Sequence, residues 1–219
     1  MTERELISRK AQSFFEELWK RGDPWDIETS DFEHRRCARL IEILAGPRYA
    51  KALEIGCGGG VFTRLLAQIV DEVVALDISS AAIARAKTTR MGPGSTEFRV
   101  ANIMEYDTRA EGPWDLVVMS DTIYYLGWLY SFFDVGWLAM ELFSATRVGG
   151  QLLLANCYGD VDDYLMRPAL LRTYRDLFVN VGYQVKAEEI FHDTKNGVRI
   201  PVLITLFEKM DEETAGNGY

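Results

Sequence analysis

A run of glycines between an apolar strand and an amphipathic helix constrains this chain more than any other feature. Ala52-Leu53-Glu54-Ile55 is followed by Gly56, Gly58, Gly59 and Gly60, and then by Val61-Phe62-Thr63 at the start of a helical pattern. Glycine has no Cβ, so such a turn can enter left-handed backbone conformations and let a ligand approach main-chain amides. An ordinary strand-to-helix connection rarely needs so many glycines in succession. Dinucleotide-binding turns, spaced G-x-G-x-x-G or G-x-G-x-x-A, need a small residue at position 61, and this chain has Val61 there. The spacing is instead acidic-x-G-x-G-x-G, from Glu54 to Gly60.

Around this turn, short apolar strands alternate with amphipathic helices. Strands are predicted over 50–55, 72–76, 97–100, 116–119 and 151–155, and helices over 61–69, 79–89, about 130–146 and about 163–181. Such alternation builds a parallel sheet with right-handed crossovers. Gly149-Gly150 is expected to turn the chain out of the long helix. Two last strands, 184–190 and 201–208, flank a polar turn around Thr194-Lys195-Asn196-Gly197, so the final strand should run antiparallel at or near the sheet edge. Two helices, 3–20 and about 31–45, precede the first strand and should cover the sheet rather than join its repeat.

A chain of 219 residues suits one domain: capping helices in 1–46, the main body in 47–209 and a polar tail in 210–219. With 48% hydrophobic and 26% charged residues it reads as globular. A net charge of −9 opposes sequence-independent binding to nucleic acid, which requires clustered Lys and Arg, although it would suit a cationic substrate. The cysteines Cys37, Cys57 and Cys157 are far apart and suggest neither zinc nor disulfides, and no segment has the pattern of a signal peptide or membrane span. A cytoplasmic protein without membrane or nucleic-acid partners is expected.

The acidic-x-G-x-G-x-G spacing, with Val74-Ala75-Leu76-Asp77 closing the next strand, resembles the opening motifs of class I S-adenosylmethionine-dependent methyltransferases. The resemblance implies a Rossmann-like α/β fold, a seven-stranded, mostly parallel sheet with its last strand antiparallel, here carrying an N-terminal helical cap. It also implies the cofactor S-adenosyl-L-methionine, left as S-adenosyl-L-homocysteine after transfer. Gly56, Cys57, Gly58 and Gly60, with Thr63, would cradle its methionine portion and ribose, and Glu54 would lie near its amino group. Asp77, followed by Ile78, stands where a carboxylate can accept from both ribose hydroxyls, while Ser79 and Ser80 are better placed to cap the next helix. Asn102 departs from an acid common in the family at the adenine amino group. Its amide oxygen can accept the same hydrogen bond, with the Ile103 amide near the ring.

Trp114 to Asp121 resembles the family's fourth motif, which puts Ser120 beside the cofactor and makes Asp121, Tyr124 and Tyr125 the candidate catalytic groups. The tyrosines read equally well as packing residues. The runs Gly22 to Asp26 and Phe32 to Arg36, taken with Glu54 to Cys57, Phe62-Thr63 and Tyr124 to Leu126, look like the nodulation protein S group. Those small methyltransferases N-methylate the deacetylated amino-sugar end of chitooligosaccharides. The likeness spans roughly residues 22 to 157. If the first two helices cap the pocket, Trp25 would be an apolar lid and Arg36 a partner for the cofactor's carboxylate; the alternatives are a packing anchor and a solvated cation. His34 and His192 form no metal-ligand spacing with the acids.

The expected function is therefore methylation of a small amine- or hydroxyl-bearing molecule. N-methylation of an amino sugar comes first and O-methylation of a hydroxylated natural product second. Two rivals are a non-catalytic module that binds S-adenosylmethionine or a nucleotide, and a nicotinamide-dependent oxidoreductase, which Val61 opposes.

Overall fold

The computed structural model describes residues 3–46, 48–88, 92–159 and 163–211. The elements run α1 (Glu3–Lys20), α2 (Asp31–Ile43), β1 (Tyr49–Ile55), α3 (Val61–Ile69), β2 (Val70–Asp77), α4 (Ser80–Ala86) and β3 (Ser95–Val100). There follow α5 (Thr108–Glu111), β4 (Trp114–Ser120), α6 (Ile123–Leu129), α7 (Phe132–Ala145), β5 (Thr146–Cys157), α8 (Pro168–Asn180), β6 (Tyr183–Lys195) and β7 (Val198–Lys209). The strands form one seven-stranded sheet in the order β3-β2-β1-β4-β5-β7-β6. β1 with β2, β2 with β3, and β4 with β5 are parallel, and β7 is antiparallel to β5. This is the α/β architecture expected from the alternation of elements.

Several local expectations change. Gly149 and Gly150 do not end the long helix: α7 stops at Ala145, and its next residue, Thr146, is already extended. The pair lies inside β5, where the register to β4 slips between Trp114↔Thr146 and Leu116↔Gln151, and the positive φ of Gly149 accommodates that bulge. α6 was not anticipated because Ile123–Leu129 is apolar almost throughout and shows no helical period. The helix predicted over 163–181 begins only at Pro168, a residue suited to a first helical turn. Residue 89 of the predicted 79–89 helix, and 212–219 of the tail, lie outside the described residues.

The chain divides into two compact units, residues 1–106 with 193–200, and residues 107–192 with 201–219. In the first, α1 lies against α4, where the Glu16 carboxylate accepts from Ser79 Oγ at 2.9 Å, Ser80 Oγ at 2.9 Å and the Ala81 N–H at 3.1 Å. Residues 193–195 hold α2 and the segment before it. Asp193 accepts from Arg35 at 2.5 Å, and Lys195 Nζ donates to the Trp25 carbonyl at 2.5 Å and to Glu33 at 3.1 Å. Asn196 and Gly197 both have positive φ, the conformation of a two-residue hairpin turn with the strands' own twist.

The second unit is centred on aromatic packing. Phe178 on α8 stacks at ring distances of 6.2 Å from Tyr183 and 5.8 Å from Phe207, and all three side chains are buried. Tyr183 places its hydroxyl 2.7 Å from Thr146 Oγ1, which donates to the Leu142 carbonyl at 2.8 Å, so the buried phenol is satisfied. Phe178→Ala would leave a cavity at the centre of this cluster. We expect a loss of about 3–5 kcal/mol in unfolding free energy by urea titration, and a loss under about 1 kcal/mol would contradict this account of the core.

Candidate functional site

In the first unit, β1 delivers Glu54 and Ile55 opposite Ala75 and Leu76 of β2, and the chain then turns sharply into α3. The Gly56 and Cys57 N–H groups both donate to the Leu76 carbonyl, at 2.8 and 2.9 Å, and Gly60 N–H donates to Cys57 at 3.0 Å. Gly56, Gly58 and Gly60 have φ of 79°, 52° and 79°, a left-handed series that side chains strain. A Cβ on Gly60 would also stand 3.1 Å from that of Ala86 and 3.3 Å from the Phe98 ring. The glycines therefore serve the close packing of turn, α4 and β3 as well as main-chain exposure.

Two carboxylates lie under this turn. Asp77, 9% exposed, accepts from the Gly58 N–H through Oδ2 and from the Ser79 N–H through Oδ1, each at 2.9 Å. Glu54 is 4% exposed, and among the described residues neither its Oε2 nor the adjacent buried Thr63 hydroxyl makes a hydrogen bond of normal geometry. Burial pushes Glu54 up to about 7, opposed by the adjacent Thr63 hydroxyl and reinforced by the charge of Asp77. Burial also pushes Asp77 up to about 6 against its two backbone donors, and raises the Cys57 thiol, which stays protonated. A pair of acids held near neutrality, one with an unpartnered oxygen, is an arrangement that a cation would stabilise.

The other expected cofactor residues, Ser120 excepted, occupy the same unit. Ile78 follows Asp77 and is half-buried. Asn102 uses Oδ1 to accept from the Met104 N–H at 3.1 Å and donates from Nδ2 to Ser8 Oγ at 3.0 Å, and Ile103 beside it is buried. Trp25 lies edge-on to Trp19 at 5.8 Å. Arg36 is not on a solvated face: it is buried and ion-paired with Glu33 at 2.9 Å.

Residues of α1 were missed as neighbours of this site. A Cβ on Gly58 would come within 2.7 Å of the Trp19 ring, and Arg4 donates to the Met104 carbonyl at 2.7 Å. With Ser8 at Asn102 and Glu16 at Ser79, α1 lines the carboxyl ends of β1 to β3 along its length. Its apolar period gave the helix, but no sequence signal gives such long-range pairings.

In the second unit, β4 ends at Ser120, whose carbonyl accepts from Thr122 Oγ1. Asp121 takes a φ of 50°, uncommon for a residue with a side chain. Its N–H donates to the Ala155 carbonyl at 2.8 Å, and its Oδ1 accepts from the Cys157 N–H at 2.7 Å, which pins the ends of β4 and β5 together. Tyr124 and Tyr125 meet at a ring distance of 4.6 Å, with Tyr124 buried. His34 and His192 are exposed. Among the described residues no cluster of His, Cys, Asp and Glu could hold a metal, and no helix is long and apolar enough to cross a membrane.

A profile of the nodulation protein S family matches residues 9–131. Nodulation protein S of Rhizobium tropici is 30% identical over 145 residues, covering 62% of this chain and 57% of that protein. Its counterpart from Bradyrhizobium diazoefficiens is 30% identical over 105 residues, 48% and 49% of the two chains. The chain thus spans about half the length of the curated relatives it matches. Among solved structures, the N-methyltransferase NodS of Bradyrhizobium japonicum, in complex with S-adenosyl-L-homocysteine, superposes with a TM-score of 0.74 at 20% identity, over 92% of this chain and 99% of that one. Magnesium protoporphyrin IX methyltransferase from Synechocystis, with bound S-adenosylmethionine, gives 0.63 at 16% identity over 91% and 96%.

The raised carboxylates have a consequence for stability. Glu54 folds with its pKa moved from 4.5 to about 7, so between those values the native state keeps a proton that the unfolded chain has lost. Unfolding is therefore favoured as pH rises through that window, by on the order of 3 kcal/mol in full. Asp77 acts in the same direction. Without ligand, Glu54→Gln should gain on the wild type in urea titrations as pH is raised from about 5 to about 8. A stability difference independent of pH would contradict the burial of an ionisable Glu54.

Proposed function

The chain belongs to the nodulation protein S family, and from that premise we propose that it is an S-adenosyl-L-methionine-dependent methyltransferase whose acceptor is a small amine, an amino sugar first. The observation that carries this reading is the left-handed glycine turn over a buried carboxylate with an unpartnered oxygen. Glu54 and Thr63 fit the amino group of the cofactor's methionine portion, which brings a positive charge and N–H donors to acceptors that have neither. Asp77 fits the ribose: each of its oxygens has a lone pair beyond the one given to Gly58 or Ser79. Asn102, whose Oδ1 accepts from the Met104 N–H, is assigned to the adenine amino group, and the main-chain carbonyls of Gly56, Cys57 and Gly58 to the methionine portion, since the three N–H groups are already donated to Leu76 and Asp77.

When bound, the cofactor supplies a methyl group already activated on a sulfonium. The chain's own task is to hold an amine nucleophile in line and let it lose its proton. Asp121, at the carboxyl end of β4, is the group we assign to holding an ammonium, with Tyr124 and Tyr125 beside it. Asp121→Asn can keep the acceptor for the Cys157 N–H while removing the charge.

Calorimetric titration with S-adenosyl-L-homocysteine and methyl-transfer assays over amino sugars, aminoglycosides and phenols test the reading together. We expect cofactor binding, an amine as preferred acceptor, and about 10²-fold slower amine turnover in Asp121→Asn with cofactor affinity kept within about twofold. Absence of cofactor binding would overturn the methyltransferase reading, a preferred acceptor without an amine would overturn the amino-sugar reading, and unchanged turnover would remove Asp121 from catalysis.

A further inference from the structure

Two buried polar groups, Asn156 near the end of β5 and Tyr158 just past it, have no hydrogen-bonding use among the described residues. Asn156 is 2% exposed and Tyr158 is 8% exposed, yet among the described residues neither Asn156 Oδ1 nor the Tyr158 hydroxyl has a hydrogen-bond partner. Strand alternation puts the two side chains on one face, and the pairing of Asn156 with Leu203 puts Leu203 there too. Tyr158 packs on that face with Tyr124, Leu171 and Leu203, flanked by Tyr125, Leu165 and Met166. Two polar groups of the adjoining loop are spent elsewhere. Asp163 Oδ1 accepts from the Leu165 and Met166 N–H groups, and Gly159 N–H donates to the Met166 carbonyl. Arg172 sits over the Tyr158 ring, 5.5 Å from its centroid.

Leucine and phenylalanine would fill these two places with nothing left unpaired, so the orphaned atoms call for a partner from outside the fold. We propose that Asn156 and Tyr158 are specificity-determining residues that hydrogen-bond the methyl acceptor. The inference rests on the methyltransferase reading above. Asn156 Oδ1 can only accept, so it selects an N–H or O–H; the Tyr158 hydroxyl can donate or accept. Set among tyrosine rings and aliphatic side chains, this pair suits a molecule whose ring offers an apolar C–H face to the aromatics and amino and hydroxyl groups at its edge, which describes an amino sugar better than a simple aliphatic amine.

The test uses Tyr158→Phe and Asn156→Leu, each nearly isosteric, with chitosan tetramer as the probe and S-adenosyl-L-homocysteine present in the binding assays. Both variants should keep cofactor affinity within twofold and melt at or above the wild-type temperature. Their affinity for the tetramer, measured by calorimetry, should fall about tenfold or more, with the loss of kcat/KM appearing mainly in KM. Wild-type protein that binds the cofactor but not the tetramer would overturn the assignment and leave the methyltransferase reading standing; failure to bind the cofactor would overturn both. Tetramer binding unchanged in the variants would mean that the two groups do not meet the acceptor. A lowered melting temperature, or failure to fold, with either variant would mean that the group has a structural partner such as a buried water, and would equally overturn the proposal.

Discussion

Asp77 ties the end of β2 to the glycine turn after β1 through one carboxylate, which accepts from Gly58 N–H on one side and Ser79 N–H on the other. That link joins the left-handed turn to the residue that caps α4, with Glu54 set beside it by the β1–β2 register. Its cost is two acids buried together, each pushed toward neutrality because water has been removed from around it. A fold alone gains nothing from keeping Glu54 Oε2 unpaired there. The arrangement makes sense as one prepared for a ligand that brings positive charge and hydrogen-bond donors.

The surroundings of this link are built from distant chain segments. α1 reaches Met104, Asn102, Ser79 and Gly58 in turn through Arg4, Ser8, Glu16 and Trp19. The other unit has its own link at the carboxyl ends of its strands, where Asp121 in a left-handed conformation holds Cys157 and leads into the tyrosines of α6. On either side of Cys157 stand Asn156 and Tyr158, the orphaned polar groups on which the acceptor proposal depends.

Much of the fold was legible because it rests on local chemistry. The helical period gave α1 with the bounds seen, Ser79 caps α4 as its side chain suggests, and Asn196-Gly197 makes the hairpin turn that two positive φ values require. The acidic residue, glycine spacing and strand-terminal Asp77 marked the candidate site for the same reason: these demands are imposed within a few residues. What escaped was set by tertiary context. Gly149-Gly150 reads as a helix stop but answers a register slip against β4, which no single segment reveals. Trp19 read as an ordinary apolar stripe, and Asn156 and Tyr158 are unremarkable until burial shows that they lack partners. Arg36 reads in sequence as either a cofactor partner or a solvated cation; its burial escaped because Lys195, which shares its i,i+3 partner Glu33, joins them only in the fold.

The central claim is that the acid beneath the glycine turn waits near neutrality for a cationic group. Binding of S-adenosyl-L-homocysteine should then ionise it, and the released proton can be counted by calorimetry in buffers of different ionisation enthalpy. The account predicts net proton release near pH 6.5 that fades by about pH 8 and is largely lost in Glu54→Gln. Binding whose heat is independent of the buffer at both pH values would contradict it.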